Sequence, residues 1–240
     1  MLRWLASPAE VAEVVPGRPA AEAWAIALRA ASDRALNAAL GRLVARLGPA
    51  ALASWVRPVG AEPLVARRAA GAPVVLVAWH AGVPAALPSG LVGLGLEALI
   101  LRHHDGKDAD GIRYATTRER TAVALQRAVY HLRQGGLVAC VIEALPVPPT
   151  TARARSFLDR PVLIPPGPAA MARLGGATLL CAMPRRRGAH LELALADPGL
   201  VAGDDDACTT ALTAWWDGYF RAHPSELWPD NVKALAAQSP

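Results

Sequence analysis

The sequence is short of lysine, cysteine and aromatic residues, and each shortage narrows the class of protein. Of its 25 basic residues only Lys107 and Lys233 are lysines, so nearly every cation is an arginine. Its three cysteines, Cys140, Cys181 and Cys208, show no CxxC spacing, which excludes a disulfide framework and indicates a reducing compartment. Aromatic residues make up only 5% and are not interleaved with a basic stripe, so nucleic-acid binding is not expected.

Long apolar stretches are also missing, although hydrophobic residues make up 53% of the 240-residue chain. The longest uninterrupted apolar runs, such as residues 74–79, fall far short of the ~20 residues that a membrane-spanning helix needs. Alanine, a weak hydrophobe, supplies much of the apolar count. Residues 1–12 lack the apolar region of a secretory signal peptide, so the expected location is cytoplasmic.

The charge balance is basic, with a net charge of +5 and charged residues at only 19%. A composition this apolar and this poor in charge excludes an intrinsically disordered protein. Arginine binds carboxylates and phosphates through its planar fork, which points to an anionic ligand. A GC-rich genome that encodes arginine in place of lysine explains the same excess, so the functional interpretation is kept for local clusters only.

The first 70 residues have a helical pattern. Charged residues alternate with leucines at helical spacing over residues 8–47, and Pro16 and Pro19 interrupt the pattern, which predicts a short helix, a turn and a long helix. Such a basic amphipathic helix is either the outer helix of a domain or a helix that lies on a membrane. We expect residues 1–70 to form a helical segment packed on a core made by residues 71–240.

Short apolar runs alternate with helical patterns in the remainder of the chain. Buried strands are predicted at residues 74–79, 97–102, 137–144 and 177–183, and an edge strand at residues 190–196. Helices are predicted at residues 116–133, where Thr116 and Glu119 fit a capping box, and at residues 165–174 and 204–221. Residues 103–115 are predicted to form a loop. This order indicates an α/β fold, with a mixed, largely parallel central sheet flanked by helices in a single domain.

Two polar residues follow predicted buried strands directly. His80 comes after the strand at residues 74–79, and Glu143 lies at the end of the strand at residues 137–144. Ligand sites in parallel sheets lie at the carboxyl ends of strands, and a histidine there can act as a general base because its pKa is near neutrality. A single histidine is more often structural, so position alone does not decide its role.

Several common sites are not supported by the sequence. It contains no Gly-x-Ser-x-Gly nucleophile elbow, no phosphate-binding Gly-x-x-x-x-Gly-Lys and no Gly-x-Gly-x-x-Gly after the first strand. His103, His104 and Asp105, together with Asp108 and Asp110, have the composition of a metal site. Adjacent residues rarely face one centre, however, so a solvated loop is expected and no metal site is predicted.

Segments in a characteristic order resemble the bacterial lipid A late acyltransferases, of the lysophospholipid acyltransferase-like superfamily. VVLVAWHAG at residues 74–82 resembles the strand and histidine that open that family's active site, and Glu143 falls where the family often has an acid. The family's phenylalanine-glycine-arginine segment resembles SFLDRP at residues 156–161. Further similar segments are LRQGGLV at 132–138, GPAAMARLGGA at 167–177 and PSELW at 224–228.

The chain departs from that family at two points. The family places an acid five positions after the histidine, where this chain has Ala85, and its proteins usually begin with a membrane-spanning helix, which is not found here. Three explanations for Ala85 stay open. Glu143 supplies the carboxylate from another strand, His80 works alone, or the protein is a non-catalytic relative that binds an acyl chain or a partner enzyme.

The resemblance implies acyl transfer from a thioester to a hydroxyl or amine acceptor, with His80 as general base and Glu143 as its carboxylate. The donor would be acyl-CoA or an acyl carrier protein, with no bound cofactor. Arg153, Arg155 and Arg160 follow a proline-rich loop and are the expected substrate-binding residues, since they suit a phosphopantetheine or an acidic carrier surface. Peripheral contact with the inner face of the membrane is also implied.

Overall fold

The computed structural model describes residues 8–103, 106–117, 121–143, 152–200 and 203–236. The helices are α1 (Pro8–Val14), α2 (Ala20–Leu47), α3 (Glu62–Ala69), α4 (Ala86–Gly93), α5 (Thr121–Arg133), α6 (Gly167–Gly175), α7 (Asp205–Ala222) and α8 (Pro229–Ala236), with 3₁₀ helices at Pro49–Trp55 and Pro224–Glu226. The strands are β1 (Val56–Val59), β2 (Val74–Ala78), β3 (Ala98–Arg102), β4 (Ile112–Thr116), β5 (Leu137–Val141), β6 (Arg153–Phe157), β7 (Arg160–Ile164), β8 (Thr178–Arg187) and β9 (His190–Ala196).

Seven of these strands form one mixed, mainly parallel sheet in the order β1-β9-β8-β2-β5-β3-β4. Only the β8–β9 pairing within it is antiparallel. Helices cover both faces, which confirms the predicted α/β fold. The short helix, turn and long helix predicted for residues 8–47 are also confirmed as α1 and α2.

Strand β2 lies in the middle of the sheet and is buried on both faces, as its unbroken apolar run predicts. Val75, Val77 and Trp79 pack into a layer that includes residues of α5, α6, α7 and α8. The alternate residues, among them Leu76 and Ala78, pack into the opposite layer with α4 and the C-terminal half of α2. The core therefore consists of two apolar layers, one on each side of the sheet.

Three local predictions were wrong. Ile112–Thr116, inside and just past the predicted loop, forms strand β4 in parallel register with β3. Thr116 therefore ends a strand instead of capping a helix, and α5 begins at Thr121; Glu119 lies outside the described residues. Strand β9 is not at an edge, because β1 pairs with its outer side. Strands β1 and β4 of the main sheet, neither of which was predicted, are short and partly exposed, so only their pairing with β9 and β3 identifies them.

The chain between β5 and β8 contains a feature that was not predicted. Strands β6 and β7 form an antiparallel hairpin outside the main sheet, with Leu158 and Asp159 at its turn in left-handed backbone conformations. The predicted proline-rich loop at residues 146–151 lies outside the described residues. Residues 1–70 contribute strand β1 to the sheet as well as helices.

Candidate active site

The end of β2 and the end of β5 meet where connections leave the sheet on opposite faces. The two strands are parallel neighbours, and Ala78 is paired with Val141. His80 and Glu143 each lie two residues beyond this pair, so they are level with each other at the carboxyl edge. From β2 the chain continues into α4 on one face, whereas from β5 it continues into the hairpin and α6 on the other face. This is the position at which open α/β sheets bind ligands.

The structure brings His80 and Glu143 into direct contact. The Nδ1 atom of His80 lies 3.2 Å from Oε1 of Glu143. The same carboxylate oxygen accepts a hydrogen bond from the backbone N–H of His80. One carboxylate therefore fixes both the backbone and the ring of the histidine. With Nδ1–H donating to Glu143, the Nε2 atom is left with the lone pair that a general base requires.

The two residues of the pair differ in solvent exposure. The His80 side chain is 50% exposed, whereas that of Glu143 is 1% exposed. Burial lowers the pKa of His80, but the hydrogen bond and the negative charge of Glu143 outweigh it, so the pKa is raised above its ordinary value. Within the part of the chain that the structure describes, the buried Oε2 atom of Glu143 has no hydrogen-bond partner. A buried carboxylate that is only half satisfied is costly, which is typical of functional sites.

The backbone around His80 is held by three other elements. Asn231 of α8 donates a hydrogen bond of 2.7 Å to the carbonyl oxygen of His80. The N–H of Gly82 donates to the carbonyl of Glu226, and the N–H of Val83 donates to the carbonyl of Pro184, both at 2.8 Å. Gly82 has φ +59, and a Cβ atom there would overlap the Pro184 carbonyl oxygen. This turn therefore requires glycine.

Position 85 has a structural role. Ala85 is the residue before α4, and its N–H donates to Oδ1 of Asn37 on α2 at 2.7 Å. Its methyl group packs against the core layer on the α4 side of the sheet. The histidine therefore receives its carboxylate from β5, the neighbouring strand, instead of from the following helix.

Aromatic side chains fill the core directly below the site. Trp79, the residue before His80, stacks on Phe157 of the hairpin with ring centroids 4.5 Å apart. Phe220 of α7 meets the Trp79 ring edge-on at 5.6 Å, and Trp216 lies 6.0 Å from it. The four rings join β2, the hairpin and α7 into one rigid support for the histidine.

The three arginines expected to bind substrate all bind other parts of the protein. Arg155 is buried and pairs with Asp206 of α7 at 2.6 Å, while Arg153, largely exposed, contacts the same carboxylate at 3.2 Å. Arg160 binds Glu13 of α1 through its carboxylate at 3.3 Å and through its backbone carbonyl. These contacts attach the hairpin to α1 and α7. Among the described residues, no hydrogen bond or ion pair joins any of the three arginines to His80, and substrate binding by them stays a prediction.

A second arginine cluster beside the site is also structural. Arg187 pairs with buried Glu226 at 2.8 Å, and the hydroxyl of Tyr219 donates to the same carboxylate at 2.5 Å. Arg185 binds Glu192 at 3.1 Å, and Arg186 binds buried Asp33 at 2.8 Å. Burial and the Glu226 charge raise the pKa of Tyr219. The cluster connects β8 to α2, α7 and the segment that holds Gly82.

A cleft of about 470 Å³ lies far from this pair. Its lining residues include Arg67, Arg173, Thr178 and Asp197. Thr178 begins β8, so the cleft opens at the amino edge of the sheet, opposite to His80. Both arginines are already held by carboxylates, Arg67 by Asp197 and Arg173 by Asp205. The His80–Glu143 edge remains the candidate site.

Sequence reasoning found the histidine and the acid, but it missed Asn231 and the role of Phe157. Asn231 is 151 residues from His80, and no local pattern links the two. Among the described residues, no three metal-ligating side chains converge. No described helix is both long and apolar enough to cross a membrane.

No protein-family model matches the chain, and no curated protein matches it.

Proposed function

We propose that the protein is an acyltransferase that moves an acyl group from a CoA or carrier-protein thioester to a hydroxyl or amine acceptor. The observation that supports this most directly is the 3.2 Å contact between His80 Nδ1 and Glu143 Oε1 at the carboxyl edge of the sheet. The geometry suits a general base with an orienting carboxylate. The order of segments that resemble the lipid A late acyltransferases supplies the reaction class.

In the proposed reaction, Nε2 of His80 removes the proton of the acceptor O–H or N–H. The acceptor atom then attacks the thioester carbonyl carbon, and Glu143 stabilises the imidazolium that forms. Collapse of the tetrahedral intermediate breaks the C–S bond, and the imidazolium returns its proton to the departing thiolate. The half-exposed ring of His80 gives the acceptor access to Nε2.

The negative oxygen of the intermediate needs a hydrogen-bond donor. The N–H groups of Ala81, Gly82 and Val83 are all bonded to carbonyl groups of the protein, and Arg160 binds Glu13. Neither the turn after His80 nor Arg160 is therefore free to supply it in this conformation. These occupied donors favour one alternative, a non-catalytic relative that binds an acyl chain or a partner enzyme.

One experiment separates the two functions. Purified protein is incubated with a panel of acyl-CoA and acyl-carrier-protein thioesters and with hydroxyl and amine acceptors, and thiol release and acyl product are both measured. We expect turnover that falls by ~10²-fold or more in His80→Ala. His190→Ala, which changes an exposed histidine of β9, is the matched control and retains turnover.

Absence of turnover with every donor, or an unchanged rate in His80→Ala, would refute the acyltransferase proposal. Binding of a fluorescent fatty acid without any turnover would favour the non-catalytic alternative.

A further inference from the structure

The outward side of helix α2 forms a face that no described element covers. Over residues 21–39 the positions exposed to solvent all lie on this side, and they are Ala21, Trp24, Ala25, Leu28, Ser32, Ala35 and Ala39. They recur every three or four residues, which is the spacing of one helix face. None of them is charged. We call these seven residues the α2 face.

The other sides of α2 are fixed by the rest of the protein. Ala27 is buried against Val11 of α1, and Leu40 is buried in the core layer that includes α4. From the side opposite to the α2 face, Asn37 accepts a hydrogen bond from the N–H of Ala85 at 2.7 Å. The α2 face therefore belongs to a helix that is firmly held in place.

The size of the side chains changes along the α2 face. Trp24 and Leu28, in its N-terminal half, are large and are 54% and 57% exposed. Ser32, Ala35 and Ala39, in its C-terminal half, are small, so they leave a shallow hollow along the helix. Large apolar side chains that are exposed side by side are typical of a protein–protein contact.

A second copy of the chain has the complementary shape. Antiparallel pairing reverses the order of the residues, so the N-terminal half of each face meets the C-terminal half of the other. A pair centred between residues 31 and 32 places Trp24 opposite Ala39 of the second copy and Leu28 opposite Ala35 of the second copy. Because of the two-fold symmetry, every large side chain then fills a hollow.

The charges around the α2 face are compatible with this pairing. Arg42 is exposed one turn beyond the face and forms no ion pair with any described residue. In the pair it lies beside Trp24 of the second copy, where a guanidinium can stack on the indole ring. The two Arg42 side chains are roughly 30 Å apart and do not repel each other. At the side of the face, Arg29 and Arg186 both bind buried Asp33, at 2.9 and 2.8 Å.

We propose that the α2 face joins two copies of this chain into an antiparallel dimer with two-fold symmetry. The face is about 27 Å long. One pair of helices buries less surface than a standard interface, so the dimer is weak, with a dissociation constant on the order of 10 μM. Asn37 lies on the opposite side of α2 from Leu28, so the pairing uses no residue of the candidate site and does not depend on the proposed function.

Sedimentation velocity over about 1–100 μM protein measures the dimer directly. We expect the sedimentation coefficient to rise with concentration from that of a monomer towards that of a dimer. Trp24→Ala should raise the dissociation constant about tenfold or more, because it removes the largest side chain of the interface. Ala35→Arg should abolish the dimer, because a charged side chain then occupies the hollow that receives Leu28.

Tyr130→Ala and Ala214→Arg are the matched controls. They make the same kinds of change at exposed positions of α5 and α7. Both should dimerise like the unaltered protein, and circular dichroism should show that all four variants are folded.

A cysteine cross-link tests the direction of the pair. The three native cysteines are buried, so they do not interfere. In Ser32→Cys the two thiols lie beside the two-fold axis and should form an intermolecular disulfide under mild oxidation. In Ala21→Cys, on the same face, the two thiols are roughly 30 Å apart and should not.

A protein that stays monomeric over this range would overturn the proposal, whether the α2 face then binds another segment of the chain, a lipid surface or a different protein. Undiminished dimerisation in Trp24→Ala and Ala35→Arg, or equal losses in the two controls, would overturn it as well. So would a cross-link that forms as readily in Ala21→Cys as in Ser32→Cys. No reaction is measured, so these outcomes are independent of the turnover experiment.

Discussion

At the scale of single residues, the candidate site depends on one carboxylate with several tasks. Glu143 accepts hydrogen bonds from both the ring and the backbone of His80, although the two residues are 63 positions apart. The lipid A late acyltransferases have an acid at the position of Ala85. In this chain the N–H of Ala85 instead joins the start of α4 to Asn37. A carboxylate from the neighbouring strand can orient a histidine as well as one from the following helix, because only the final geometry matters.

The first prediction concerns Glu143→Gln. His80 must be neutral to act as a base, so turnover should rise with pH through its raised pKa. The glutamine removes the negative charge that raises this pKa, so the acidic limb of the kcat/KM profile should move to lower pH. The plateau should fall by ~10²-fold or more, because the imidazolium loses its stabilising partner.

Glu192→Gln, which removes a carboxylate bound to Arg185, is the control and should leave the limb in place. An acidic limb that stays or moves upward in Glu143→Gln would contradict the assigned pair. The raised pKa also means that the pair stabilises the fold at acidic pH, and that this contribution is lost as pH rises through the pKa of His80.

Two of the arginines that were predicted to bind substrate have a structural role. Arg153 and Arg155 share the carboxylate of Asp206, but only Arg155 is buried. Both lower the pKa of Asp206, chiefly through the hydrogen bond from Arg155. Their pairing attaches the hairpin to α7, and substrate binding by these residues remains a prediction that turnover measurements have to decide.

At the scale of elements, the turn from β2 to α4 determines where His80 points. The turn is hydrogen-bonded to α8, to the 3₁₀ helix Pro224–Glu226 and to β8. Gly82 permits this close packing because it has φ +59 and no side chain. Elements from the C-terminal part of the chain therefore position His80, which belongs to its first third.

The second prediction compares Gly82→Ala with Gly188→Ala. Both glycines have φ +59, so an alanine at either position has a similar backbone cost of about 1 kcal/mol. At Gly188 a Cβ atom meets nothing within 4 Å, whereas at Gly82 it overlaps the Pro184 carbonyl. Gly82→Ala should therefore cost ~1–3 kcal/mol more, and it should reduce turnover by displacing His80.

Urea unfolding of the two variants measures this difference. Equal free energies of unfolding would show that the turn after His80 has more room than the structure indicates.

At the scale of the whole molecule, the two core layers join the N-terminal part to the rest. Leu40 of α2, Leu52 of the 3₁₀ helix and Val56 of β1 are buried in the same layer as Leu76 of β2. Arg34 of α2 also pairs with Asp230 of α8 at 2.7 Å. Elements from both ends of the chain thus stabilise one sheet.

The third prediction is a single unfolding transition. Burial raises the pKa of Cys140 to about 12 and also raises that of Cys181, so both thiols should be protonated and unreactive in the folded protein. Thiol labelling, tryptophan fluorescence and circular dichroism should report the same urea midpoint. A Cys208→Ala variant restricts the labelling to the two cysteines of the sheet.

A tryptophan transition that precedes labelling of the sheet cysteines would show that part of the protein unfolds before the central sheet does, which would contradict a single transition.

The sequence by itself determined the class of fold and half of the site. Unbroken apolar runs, such as that of β2, report burial on both faces, and burial on both faces is characteristic of central parallel strands. The position of His80 and Glu143 at strand ends could be predicted for the same reason. Strands β1 and β4 could not be predicted from the sequence, because short edge strands with exposed faces have no distinctive local pattern.

Only the tertiary structure decided which strands are neighbours. That choice puts Glu143 level with His80, gives Asn231 its place on the His80 carbonyl, and directs Arg153, Arg155 and Arg160 to carboxylates of the protein. The physical reason is that local propensity acts over a few residues, whereas strand order and register depend on how all the apolar faces are buried together.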